Sequence, residues 1–309
     1  MRKNKLVVIL GQTSTGKSDF AVEIAKKIDG EIISADSRQV YKGMNLGTGK
    51  ITKKEMRGVP HHLLDISSPS RVFSVSDFQK RAFKKIEEIN KRGKVSIICG
   101  GTGFYIDAIT NETTFPKVPP NKKLREKLYP KTAIALLGYL EKLDPARAKT
   151  IDKNNKIRLI RAIEIAKALG KVPLLAKVLP LQNYEVLKIG LTLPPEILKE
   201  KIRSRLFARI REGMIKEIEN LHKNGVSWKR MNELGLEYRY VSQYLQRKLP
   251  KNKMLEELNT AIWHYAKRQK TWFKRDANII WIDPRKNGSE TKVLKEIKKF
   301  LSARQEGGK

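Results

Sequence analysis

Eight residues near the start of the chain, Gly11, Gln12, Thr13, Ser14, Thr15, Gly16, Lys17 and Ser18, fit the pattern G-x-x-x-x-G-K-[ST]. The chemistry of that pattern is the cradling of phosphates. Its glycines let backbone N–H groups converge on one small volume, and a helix beginning there adds the positive end of its dipole. Lys17 can reach outer phosphates, and the Ser18 hydroxyl can hold a magnesium ion bound to them. A second candidate is Asp36, which follows the apolar run Glu31–Ala35. Groups at the carboxyl ends of neighbouring strands converge on one crevice in such proteins, so Asp36 is expected beside the loop. It could serve as a general base, as a carboxylate in a magnesium shell, or only as a turn former. A third is a set of arginines, Arg203, Arg205, Arg209 and Arg211, on one stretch of helical pattern. One of them near the loop would stabilise negative charge on a leaving group, because a planar guanidinium matches phosphate oxygens. Spacing alone leaves open which one.

These residues need a strand–turn–helix frame. Leu6–Leu10 reads as the strand before the loop, and the apolar positions Phe20, Ile24 and Ile28 as the helix after it. Residues 31–35 read as a second strand and Lys94–Cys99 as a third, which runs into the glycine turn Gly100-Gly-Thr-Gly103 and a further helix. No Asp ends that third strand, which argues against an ATP-driven motor. An amphipathic helix is expected over Phe78–Ile89. His61 and His62 are adjacent, so on an extended chain they point to opposite sides, and no metal site is read there. From Phe115 to Pro120 the chain is proline-rich, and strand–helix alternation then stops. Helices at Ala133–Leu143 and Asn155–Leu169 define an all-helical insertion over residues 116–180, closed by Pro180. A strand at Tyr184–Leu193, helices over Glu196–Arg211 and Met214–Asn224, a last strand at Asn278–Ile282 and a helix over Glu290–Leu301 return to the sheet. The fold class expected is α/β: a P-loop NTPase-like parallel sheet flanked by helices, formed by residues 1–115 and 181–309 around that insertion. Within Ala261–Arg275, Tyr265 and Trp272 are expected to pack in the core, with Arg268 and Arg275 on a basic face that tracks a nucleic-acid backbone.

The bulk numbers add a partner. The 309 residues carry a net charge of +33, far more than a globular core requires, and such a field attracts polyanions. Nucleic acid is the expected partner, because Lys and Arg that displace phosphate counterions supply most sequence-independent affinity. With Cys99 as the single cysteine no internal disulfide can form, which implies a reducing compartment. No signal region or membrane-length apolar run is read, so a cytoplasmic chain that does not engage membranes is expected.

Taken in order, Gly11–Ser18, Asp36-Ser-Arg-Gln-Val-Tyr-Lys-Gly-Met-Asn-Leu-Gly-Thr48, Pro60-His-His-Leu-Leu-Asp65, Gly100–Gly103, Arg158-Leu-Ile-Arg-Ala-Ile-Glu164 and Tyr265-Ala-Lys-Arg-Gln-Lys-Thr-Trp272 closely resemble the tRNA dimethylallyltransferases, or tRNA isopentenyltransferases. The resemblance extends over nearly the whole chain. It implies transfer of a dimethylallyl group from dimethylallyl diphosphate to N6 of adenosine 37, in tRNAs that read codons beginning with U. The phosphate loop would then hold diphosphate as a leaving group, with magnesium as cofactor at Ser18. By resemblance Asp36 is the general base, Thr13 lies near the diphosphate, and Arg205 is the leaving-group arginine. Asp36, Ser37, Arg38, Gln39, Thr102, Arg125, Lys156, Ile157, Arg158, Leu159, Ile160 and Arg161 match regions that touch tRNA, and a monomer is expected. Two departures stand out: Asn155 replaces a common Asp, and Gly235-Leu-Glu-Tyr238-Arg carries two residues more than the usual Gly-Tyr pair. Competing readings are a small-molecule kinase with ATP at the loop, an adenylate isopentenyltransferase acting on free AMP or ATP, and a non-catalytic RNA-binding module. The kinase gives no reason for +33, and the charge also argues against a free nucleotide as acceptor.

Overall fold

The computed structural model describes residues 4–111, 113–173 and 184–303. The chain divides into two compact units, Met1–Glu112 with Leu179–Lys309, and Thr113–Val178. The second unit thus begins three residues before the expected position 116. Pro180 and the expected restart at 181 lie outside the described residues.

In the first unit the chain runs β1 (Asn4–Gly11), α1 (Lys17–Lys27), β2 (Gly30–Ser34), α2 (Lys53–Met56), β3 (His61–His62), α3 (Val75–Lys91), β4 (Val95–Gly100) and α4 (Gly103–Thr110). The strands form one six-stranded parallel sheet, completed by two later ones, in the order β3-β2-β4-β1-β5-β6. Strand alternation sends Leu6, Val8 and Leu10 to one face, against Phe78, Ala82 and Ile86 of α3 and Ile106 of α4. Val7 and Ile9 go to the other, against Phe20, Ala21 and Ile24 of α1. Both faces are buried, as a parallel sheet requires. Capping boxes start α2 at Thr52 and α3 at Ser74, each closed by the acidic residue three positions on.

The strand expected third, over Lys94–Cys99, is the fourth and runs Val95–Gly100, because the histidine pair makes a short edge strand that alternation could not resolve. His61 and His62 lie in register with Ile32 and Ile33. His62 Nε2 bonds the Glu31 carboxylate at 2.6 Å, and Arg92 meets the same carboxylate at 2.7 Å.

The second unit holds α5 (Lys122–Leu128), α6 (Ala133–Leu143), α7 (Pro145–Thr150) and α8 (Lys156–Leu169). Side chains of Asn121, Thr132, Asp144 and Asn155 cap the four in turn. Asn155 does this by accepting from the Arg158 N–H at 3.2 Å, a role that either Asn or Asp can fill. Leu136, Leu140, Leu159 and Ile163 form the centre of its core.

Returning to the first unit, the chain adds β5 (Tyr184–Leu191), α9 (Pro195–Arg211), α10 (Met214–Lys223), α11 (Trp228–Leu234), α12 (Leu236–Leu245), α13 (Lys251–Phe273), β6 (Ile279–Ile282) and α14 (Ser289–Ser302). Helices α9 to α13 share a core of their own around Ile202, Leu206, Ile218, Tyr238 and Leu258. Among the described residues no helix is long and apolar enough to cross a membrane.

Burial within α8 separates a packing residue from its neighbour. Leu159→Ala should destabilise residues 113–173 by about 2–5 kcal/mol, whereas Ile157→Ala should change little, within about 0.5 kcal/mol. Hydrogen exchange of the amides in that unit measures both; Leu159 is fully buried and Ile157 is 72% exposed.

Candidate active site

In the sheet order β2, β4 and β1 are neighbours, so their carboxyl ends deliver Asp36, the Gly100–Gly103 turn and the phosphate loop to one rim. A cavity of about 1780 Å³ opens there, within the first unit, lined by Thr13, Lys17, Ser18, Asp36, Arg205 and Tyr265 among others. The sequence expectation that Asp36 stands beside the loop is met by this shared wall.

The loop is braced from outside. Gly16 takes φ 84° and caps α1 with no side-chain bond, so no side chain occupies the N–H groups of the first helical turn. The side chains of Gln12 and Thr15 are buried and hold the loop itself, so any phosphate contact at these two positions falls to the backbone. Thr15 Oγ1 donates to the Gln12 carbonyl at 2.9 Å, and Gln12 Nε2 donates to the Ala266 carbonyl of α13 at 3.1 Å. Lys17 Nζ donates to that same Gln12 carbonyl. The Thr13 N–H goes to Gln269 Oε1 at 2.8 Å, and Gln269 Nε2 donates to the Gly101 carbonyl at 2.8 Å. One buried amide from late in the chain thus ties the loop to the second glycine turn. A Cβ on Gly101 would collide with that Nε2.

Asp36 is both a turn former and a wall residue. Its Oδ1 accepts from the N–H groups of Arg38 at 2.8 Å and Gln39 at 3.3 Å, while Oδ2 has no protein hydrogen-bond partner among the described residues. The Ser37 N–H donates to Thr102 Oγ1 at 3.0 Å. The glycine-studded segment that follows is held by Glu217, whose carboxylate accepts from the N–H groups of Asn45, Leu46 and Gly47.

Of the four arginines on α9, only Arg205 and Arg209 line the cavity. They are four residues apart, hence on one helix face. Arg203 lies over the Phe207 ring instead. Arg205 Nη2 donates to the Gly49 carbonyl at 3.2 Å, and Arg209 Nη1 meets Glu237 Oε1 at 3.3 Å. Protein walls around the open cavity lower the Lys17 ammonium to about 8 and the Arg205 guanidinium to about 10, burial being the first cause in each. An anion in the cavity would reverse both shifts. Burial raises Glu237 above the ordinary carboxylate range and pushes the Cys99 thiol up to about 12, which leaves that cysteine inert.

For α13 one expectation needs correction and one holds. Tyr265 is not a core residue but lines the cavity, as does Arg268, so the aromatic and basic faces meet there. Trp272 packs, partly buried, against the core that holds Phe78 and Ile106, and its Nε1 donates to Asp107 Oδ2 at 2.9 Å.

In the second unit the expected tRNA-contacting set divides. Leu159 and Ile160 are buried in the unit's core, so their side chains do not face a partner. Arg125 grips the buried Glu164 through Nε at 2.7 Å and Nη2 at 2.8 Å, and Arg161 Nη1 joins at 3.2 Å. Both arginines are braces for that carboxylate. Ile157 and Arg158 are exposed, and Lys156 Nζ donates to the Tyr129 carbonyl.

The model of the IPP transferase family matches residues 39–276. The chain belongs to that family. A tRNA dimethylallyltransferase 2 of Treponema denticola is 47% identical to this IPP transferase over 287 residues, 91% of this chain and 96% of its own. A tRNA dimethylallyltransferase of Staphylococcus carnosus is 39% identical, covering 99% of this chain and 100% of its own. The solved structure of a tRNA isopentenylpyrophosphate transferase from Bacillus halodurans aligns at 36% identity and a TM-score of 0.74, over 97% of each chain. A eukaryotic dimethylallyltransferase acting on tRNA shares the fold, with a TM-score of 0.79 at 24% identity, over 98% of this chain and 80% of its own.

Gln269, Glu217 and Glu237 were not singled out from the sequence, whereas Arg209 stood among the four candidate arginines. Gln269 was within reach, since it stands four residues after Tyr265 on the same helix face. Gln269→Leu should leave the Thr13 N–H and the Gly101 carbonyl unpaired, at more than about 2 kcal/mol of stability in urea unfolding. Gln269→Glu keeps the acceptor for Thr13 but sets a carboxylate behind the loop; it should remain folded and lose binding of inorganic diphosphate.

Proposed function

We propose that this IPP transferase moves a dimethylallyl group from dimethylallyl diphosphate to N6 of adenosine 37 in tRNAs that read codons beginning with U. The observation that carries this reading is one cavity wall bearing an amide-rich phosphate loop, two guanidinium groups and a carboxylate with one unpaired oxygen. The names of the relatives favour tRNA over a free nucleotide as acceptor, and a kinase does not fit the family.

An exocyclic adenine amine is a weak nucleophile, because its lone pair is delocalised into the ring. As its nitrogen bonds to the allylic carbon, Asp36 takes the proton that the amine must shed. The C–O bond to diphosphate breaks in the same exchange: positive charge that develops on the allyl carbon is taken up by the amine lone pair, and negative charge stays on the departing oxygens. The first-turn N–H groups of α1, Lys17, the Thr13 hydroxyl and Arg205 receive that negative charge. Their positions are set before reaction, so little reorganisation is needed when charge develops.

Magnesium would depend on the substrate's own oxygens, because among the described residues no three His, Cys, Asp or Glu side chains gather into a metal site. The Ser18 hydroxyl lines the cavity at the loop, and a hard oxygen donor of this kind is what the ion takes. Ser18 would hold it together with the diphosphate, and when bound it would supply Lewis-acid neutralisation of the leaving group.

To reach Asp36 the adenine must leave its stack, at a cost of about a few kcal/mol, least where the nucleotide is already unpaired. Ser37, Arg38 and Gln39 line the cavity and would meet the flipped nucleotide, with Thr102 behind them. Exposed Lys and Arg side chains, Arg158 among them, would hold the RNA backbone. We read the enzyme as a cytoplasmic monomer.

Asp36→Asn preserves the acceptor for the Arg38 N–H and therefore the turn. It should bind unmodified tRNA with wild-type affinity while prenylation falls by about 10²–10⁴-fold. Incubation with dimethylallyl diphosphate, magnesium chloride and tRNA, followed by mass spectrometry of the nucleosides, reads the transfer. Equal loss of binding and transfer would contradict the assigned role, and prenylation of AMP but not tRNA would select the other acceptor.

A further inference from the structure

The segment Gly235-Leu-Glu-Tyr238-Arg places Glu237 at the cavity wall opposite Arg209. Both side chains are buried, with 11% of each exposed. A buried ion pair gains its full attraction only with good geometry and further hydrogen bonds. This pair has neither: a single bond of 3.3 Å joins Nη1 to Oε1, and Arg209 donates to no other protein group among the described residues. Its Nη2 hangs over Gly49 next to Nη2 of Arg205, so that a methyl group on Gly49 would collide with both. Arg205 adds only the bond to the Gly49 carbonyl. Two guanidinium groups therefore stand side by side in one cavity wall, and Glu237 is the carboxylate bonded to one of them, while Glu55 and Asp19 act on Arg205 only through their field. Most of the N–H groups of the pair are left unbonded by protein among the described residues, which is the demand that an anion with several oxygens satisfies.

We propose that Arg209 is a second guanidinium for the leaving diphosphate, and that Glu237 is a positioning residue that holds it at the wall and competes with the anion for it. This assignment rests on the diphosphate reading of the cavity. Glu237 weakens anion binding in exchange for keeping Arg209 extended beside Arg205. A carboxylate at this place also favours release of diphosphate after transfer, when both arginines would otherwise retain it.

The two residues consequently have opposite effects on the same equilibrium, which a shared structural role would not produce. Titration calorimetry of the full chain with inorganic diphosphate and magnesium chloride measures them. Arg209→Met should weaken binding by more than about tenfold, and Glu237→Gln should tighten it by about threefold or more. Arg203→Met, which removes a charge from the same helix outside the cavity, should stay within about twofold. The double variant Arg209→Met with Glu237→Gln removes the pair together and avoids an unpaired buried charge; it should bind as weakly as Arg209→Met. Weakening by both single variants, no change in either, or wild-type affinity in the double variant would overturn the assignment. A wild-type chain that binds no diphosphate would remove the diphosphate reading as well, whereas tight wild-type binding indifferent to Arg209→Met would remove this assignment alone.

Discussion

A phosphate loop works only if its N–H groups are aimed before the ligand arrives, and here the aim depends on one buried amide. Gln269 accepts from Thr13 and donates to Gly101, while Gln12 reaches back to Ala266 of the same helix. Each bond fixes backbone that would otherwise move, and each is made away from solvent, where an unpaired partner is costly. The loop at the start of the chain is thereby shaped by a helix near its end. Sheet order alone brings the strand ends together; it does not set the direction of a single N–H group.

The electrostatics of the cavity follow from the same geometry. Lys17 and Arg205 stand in a walled space that disfavours their charge, and Arg209 adds a third cation close by. Asp36, Glu237, Glu55 and Asp19 act against that penalty without removing it, since Lys17 and Arg205 both stay lowered. A site so arranged is strained when empty of anion and relieved by one, and that difference is available to a reaction in which negative charge accumulates on a leaving group. The missing side chain at Gly49 leaves room for both guanidinium groups in the same small region, which makes their combined field directional rather than diffuse.

Much of this was legible in the sequence because it depends on local pattern. The loop motif, the strand before it and the helix after it are contiguous, and alternation in Leu6–Leu10 matches the two buried faces of β1. Asp36 could be placed by a topological rule, since it follows a strand that ends at the same rim. The rest depends on contacts between distant segments. The spacing of Tyr265 and Gln269 puts them on one helix face but does not say whether that face meets the loop or the core, which is why core packing is the expectation for Tyr265. The edge strand at His61–His62 is two residues long, too short for any periodicity to register. In the second unit the resemblance set Arg125 and Arg161 against tRNA, yet Glu164, three residues after Arg161, draws both into a brace.

The central claim is that one cavity wall holds the diphosphate on the loop and presents the base to the amine. It is tested most directly by a crystal structure of the full chain with an anticodon stem-loop RNA and an unreactive thiolo analogue of dimethylallyl diphosphate. The account requires the diphosphate on the N–H groups of the first turn of α1, with N6 of the flipped adenine about 3 Å from the Asp36 carboxylate. A diphosphate bound away from Gly11–Ser18, or an adenine N6 that meets some other base while Asp36 stays in its turn, would contradict it.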